Sequence, residues 1–128
     1  MNKSREQFCL LLDDIESKQR ALFQCHEYYR MLAQEVEAKK QRLANPEDYE
    51  DCEQSIARLN REYDKKINLL HEELNESLIK CRDLAEGLGR EIRHDFNKLW
   101  DNMTNLSRVG VELDHIQREI ECLRKAVS

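Results

Sequence analysis

Phe8, Ile15, Leu22, Tyr29, Val36 and Leu43 recur at every seventh position. An apolar spacing of this kind commits a segment to a helix with one sticky face, and that face requires another helix to cover it. Leu11, Leu12, Cys25 and Leu32 widen the stripe, while Lys18 and Lys39 interrupt its second row. The stripe stops at Asn45-Pro46 and resumes at Tyr49, then runs in steps of mostly three and four to Val127. Extra steps of four between residues 59 and 99 shift the local period toward eleven residues in three turns, which weakens left-handed supercoiling.

Local signals divide the stripe into helices. Ser4 followed by Gln7 matches a capping box, in which side chain and backbone satisfy each other's free groups. At Asn45-Pro46-Glu47-Asp48 an N-cap residue precedes a proline suited to the first helical position, and two acids favour the positive end of a helix dipole. The spacing therefore predicts helices over 4–44 and 46–127 in one elongated domain spanning 1–128. Gly87-Leu88-Gly89 lies inside the second helix, where two glycines cost about 2 kcal/mol of helix propensity. The glycines mark either a kink or a turn, and a turn would give an antiparallel three-helix bundle. No Asn, Asp, Ser or Pro caps a new helix there, and the stripe passes through Leu88 to Ile92 in phase, which favours a single weakened helix. The expected fold is all-α: a long antiparallel helical hairpin or coiled coil, dimeric in solution.

Dimerisation is expected because a hairpin closing at Asn45 lets the first helix cover the second only to about residue 87. Leu88, Ile92, Phe96, Leu99, Trp100, Met103, Leu106, Val109, Leu113, Ile116, Ile120, Leu123 and Val127 would remain uncovered. Each large apolar side chain gains roughly 1.5–3 kcal/mol on burial. These residues are therefore the expected interface with a second copy or another helical protein, with Trp100 a flanking residue that widens it, of a type that often anchors a partner when exposed.

Charge and cysteine content narrow the function. A net charge of −5 argues against a nucleic-acid partner, which requires a basic face. Residues 47–76 carry ten acids and four bases, the pattern of a solvated helix face. The five cysteines contain no CxxC pair and are odd in number; reduced thiols in the cytoplasm fit them best. Asn-x-Ser/Thr triplets at 75, 102 and 105 matter only in a secreted protein. No apolar run is long enough to span a bilayer. Catalytic, metal and cofactor signals are missing: Gly87-x-Gly89 has Ile92 where a dinucleotide loop has its third glycine. His26, His71, His94 and His115 are scattered, and His71-Glu72-Glu73 has no second histidine. The expectation is a non-enzymatic protein without a cofactor.

Lys39, Lys40 and Arg42 cluster just before the break. They suit the negative end of a helix dipole, and they also form a candidate contact with anionic lipid headgroups. The run Lys39-Lys40-Gln41-Arg42-Leu43-Ala44-Asn45-Pro46-Glu47-Asp48, with Arg90 to Phe96 and its Asp95-Phe96 pair, resembles the last two helices of a sorting-nexin BAR domain. That resemblance implies a crescent-shaped dimer at endosomal membranes, with the tip bases on lipid. Three functions follow from the sequence: a non-catalytic helical scaffold or adaptor that mediates dimerisation and protein–protein interaction, a BAR-type membrane-curvature module of endosomal trafficking, and a spectrin-like three-helix spacer.

Overall fold

The computed structural model describes residues 3–104 and 113–128, with the backbone alone described for Leu113 and Asp114. The architecture is all-α: α1 (Lys3–Gln41), a short 3-10 turn (Pro46–Asp48), α2 (Tyr49–Leu88), α3 (Arg90–Thr104) and α4 (Leu113–Val127), with no strand among the described residues.

Helix α1 ends at Gln41, three residues short of the predicted limit. Arg42 and Leu43 donate to the carbonyls of Lys39 and Lys40, both at 3.1 Å, and these three-residue-span bonds tighten and terminate the last turn. Asn45 occupies the N-cap position in an extended conformation with Pro46 behind it, as expected, but its side chain makes no capping hydrogen bond. The first bond is made by backbone alone, Asp48 N–H to the Asn45 carbonyl at 3.1 Å. Ser4 lies inside the first turn of α1 and does not precede it.

Helices α1 and α2 run antiparallel. Lys40 bonds Glu53, His26 bonds Tyr63 and Asp14 bonds Ser77, so ascending one helix descends the other. The predicted continuous helix over 46–127 does not form. The chain turns at Gly89, whose φ of 127° and ψ of 160° belong to a region that only glycine occupies readily. Helix α3 then returns along α2: the Arg82 guanidinium lies 4.4 Å from the Trp100 ring centre, and Met103 and Thr104 line one cleft with His71, Leu74 and Leu78. Helix α4 reverses again. Asn102 donates to Glu119 at 2.6 Å, Arg124 bonds Asp13 at 2.6 Å and also Glu16, and Val127 ends beside Cys9 and Leu10.

The result is a four-helix bundle built from the first half of α1, the last half of α2, α3 and α4. Its core contains Phe8, Leu12, Ile15, Leu78, Cys81, Phe96, Leu99, Ile116, Ile120 and Leu123 among others. Phe8 and Phe96 meet edge to face, with ring centres 6.0 Å apart at 66°. Burial of the in-phase stripe on itself offsets the cost of breaking the helix at residue 89, because the face left bare by a straight helix is covered by the chain's own α1 and α2. One side chain fits this core poorly. Gln19 is 1% exposed, and neither of its amide atoms has a hydrogen-bond partner among the described residues. Such a group forfeits about 1–3 kcal/mol of desolvation. Gln19→Leu is expected to raise stability by about 1–2 kcal/mol, read as a higher urea midpoint with unchanged slope; a lower midpoint would contradict the unpartnered geometry.

Candidate functional site: the two-helix arm

Among the described residues, α1 and α2 continue alone beyond the bundle as an arm formed by residues 26–41 and 49–67. At 1.5 Å per residue the arm projects about 24 Å. Its seam is less well covered than the bundle core. Between residues 3 and 22, α1 buries Phe8, Leu12, Ile15, Gln19 and Leu22, whereas Tyr29 is its one buried residue in the arm. Leu32, Ala33, Val36, Ile56, Leu59 and Tyr63 point into the seam but remain half-buried. Two packed helices shield one line of contact, and a third helix is needed to dry the flank.

On that flank His26, Tyr29, Arg30, Ala33, Leu59, Asn60 and Tyr63 form a shallow groove. Its floor is aromatic. The Tyr29 and Tyr63 ring centres are 5.8 Å apart at 62°, and those of His26 and Tyr63 are 5.9 Å apart. His26 Nδ1 and the Tyr63 hydroxyl are joined at 3.0 Å, which fixes both rings. Burial, reinforced by neighbouring Cys25 and Asp64, pushes the Tyr63 hydroxyl above its usual range and keeps it neutral. The Lys66 ammonium lies 5.5 Å from the Tyr29 ring centre, a cation–π contact that holds the tyrosine from the other helix. At the rim, Arg30 donates to Glu27 through Nε at 3.2 Å and Nη2 at 2.6 Å. The groove thus offers a rigid, apolar floor with polar edges, the chemistry that receives side chains of an amphipathic helix.

Within the bundle, Asp14, Lys18 and Ser77 tie α1 to α2. Lys18 donates to the Ser77 hydroxyl at 2.7 Å and contacts Asp14 at 3.0 Å, and the Ser77 hydroxyl donates to Asp14. The Ser77 hydrogen bond, aided by Lys18, lowers the Asp14 carboxyl below its ordinary value. The lysine that interrupts the apolar row at position 18 is therefore a cross-helix tie.

The residues expected to meet a second molecule are mostly covered internally. Ile92, Phe96, Leu99, Met103, Ile116, Ile120, Leu123 and Val127 are buried in the bundle, and Leu88 and Trp100 pack against it half-buried. The physical reason is the turn at Gly89, which lets the stripe cover itself. Leu106 and Val109 lie outside the described residues, as does the side chain of Leu113. At the arm tip Lys39 and Arg42 are exposed, whereas Lys40 is held by Glu53 at 3.1 Å and lies 5.5 Å from the Tyr49 ring centre. Glu47, Asp48, Glu50 and Asp51 are exposed beside them. The groove residues had no motif to announce them in the sequence: His26 and Tyr63 are 37 positions apart, and only the antiparallel register unites them.

No helix among the described residues is long and apolar enough to cross a membrane. Comparison with protein-family models, curated proteins and solved structures returned no match to this chain.

Proposed function

We propose that this chain is a non-catalytic helical scaffold or adaptor module, in which the bundle is the anchor and the antiparallel coiled-coil arm is the partner-binding element. The half-covered seam of the arm carries this reading. Its apolar residues are aligned, yet among the described residues they lack the third helix that the same two helices receive in the bundle. A helical protein partner suits the groove better than an anionic membrane suits the tip. Residues 39–51 hold three bases against four acids, and one of the bases, Lys40, is already paired with Glu53. A reducing compartment such as the cytoplasm also suits the chain. All five cysteines are unpaired, and burial, with a contribution from Cys9, pushes the Cys81 thiol up to about 12, leaving it inert as a nucleophile.

Site-specific photo-crosslinking in cells tests the proposal. A photoreactive residue at Ala33, on the groove floor, is expected to give a discrete crosslinked product. The same residue at the exposed position Glu62 should give none. Equal products from both positions, or none from Ala33, would count against a partner helix in the groove.

A further inference from the structure

The turn at Gly89 separates two helices whose apolar stripe does not register the break. Leu74, Leu78, Cys81, Ala85, Leu88, Ile92, Phe96, Leu99 and Met103 follow one another in steps of three and four. On a straight helix they would fall within a sector of about 80°. Their burial in the bundle has the same source, since α3 faces α2 across this stripe. The turn itself is held by little. A Cβ built on Gly87 or on Gly89 would meet nothing within 4 Å, so neither glycine is required for packing. Backbone conformation alone, φ 127° at residue 89, distinguishes the turned chain from a straight one. No side chain caps the start of α3; Gly89 supplies the carbonyl that accepts from Arg93 N–H at 3.0 Å.

From these observations we infer that Gly89 is a hinge, and that α3–α4 leaves its own bundle to complete the bundle of a second copy, giving a domain-swapped dimer. With the hinge straightened, α2 and α3 form one helix that lies antiparallel to its equivalent in the second copy. Arg82–Trp100, Phe8–Phe96 and Arg124 with Asp13 and Glu16 are then remade between chains, with no new contact required except at the hinge. The two bundles sit end to end and the two arms point outward. The second copy is the occupant because only it presents the α1–α2 surface that α3 and α4 already fit. This inference concerns residues 89–128 and stands apart from the arm groove, which neither substitution below touches.

Two substitutions at the hinge should act in opposite directions. Gly89→Ala strains the turn, because a side chain disfavours this φ, and it favours the straight helix. It is expected to tighten dimerisation by at least about tenfold. Arg90→Pro preserves the turn, since proline suits the first position of α3 and the ψ of Gly89 suits a residue before proline. It forbids the straight helix and should weaken dimerisation by at least about tenfold. Light scattering across a concentration series reads both.

A mixing experiment identifies which chain each α4 contacts. One full-length chain carries Arg124→Glu; the other carries Asp13→Lys and Glu16→Lys. Each alone opposes like charges, whether folded on itself or paired with its own kind. Refolded together from urea, they restore opposite charges between α1 and α4 only by swapping, so a mixed dimer is expected. A mixture that yields no mixed dimer would overturn the hinge, as would a dimer constant unchanged by both residue 89 and residue 90. Failure here would leave the Ala33 crosslinking result untouched, and the reverse also holds.

Discussion

Phe96→Ala is expected to lower the unfolding free energy by about 3–5 kcal/mol. Phe96 is fully buried and faces Phe8 edge-on, so truncation removes both its transfer free energy and an aromatic pair, and leaves a cavity. Natural domains hold only about 5–15 kcal/mol in total, so the variant should sit close to its unfolding midpoint at moderate temperature. Urea unfolding followed by circular dichroism measures the loss. A loss below about 1 kcal/mol would mean that α3 does not return to the bundle. Pairing the substitution with Phe8→Ala sharpens the result. Double-mutant coupling between positions 8 and 96 is expected to be about 0.5–1.5 kcal/mol, whereas two residues that never meet should add independently.

Ile120→Asp should cost more than about 4 kcal/mol, because it combines lost apolar burial with a carboxylate placed in a fully buried position. The 15 residues of α4 are too few to persist as an isolated helix in water, so this helix should melt when it is expelled. The expected signature is a partial loss of helical circular dichroism and new proteolytic cleavage within 113–127. The arm should retain its protection. Lys125→Gln, on the exposed face of the same helix, serves as the control and should stay within about 0.5 kcal/mol of the parent chain. Equal effects from the two substitutions would show that the face of α4 containing Ile120 is not the packed one.

Both expectations depend on α3 and α4 packing against α1 and α2, an arrangement that periodicity alone does not announce. The helical class, the break at Asn45-Pro46 and the apolar face were legible because they are local. A seven-residue repeat is a property of successive side chains, and proline removes a backbone donor wherever it stands. Gly87-Leu88-Gly89 was legible as a weak point but not as a turn. The stripe passes through it in phase, and a helix bent back on itself presents the same pattern as a straight one. The end of α2 lacks the polar caps that usually announce a boundary, and the Gly89 backbone does that work unaided. The arm groove was less legible still, for His26, Ala33, Leu59 and Tyr63 are ordinary members of two apolar rows until the register of α1 against α2 places them together.

What the sequence determined by itself is therefore the set of surfaces that had to be covered: one apolar face on α1, and one running from Tyr49 to Val127. Side-chain spacing alone sets that requirement, since 3.6 residues per turn converts a linear pattern into a face. Only the tertiary structure decided what does the covering. It placed α3 and α4 on the first half of α1 and the last half of α2, and it left the arm with its seam half open. The physical reason is that burial is non-directional and rewards any apolar partner of the right shape. The choice among possible partners then falls to the backbone at a single glycine, which has no side chain to bias it toward the helix.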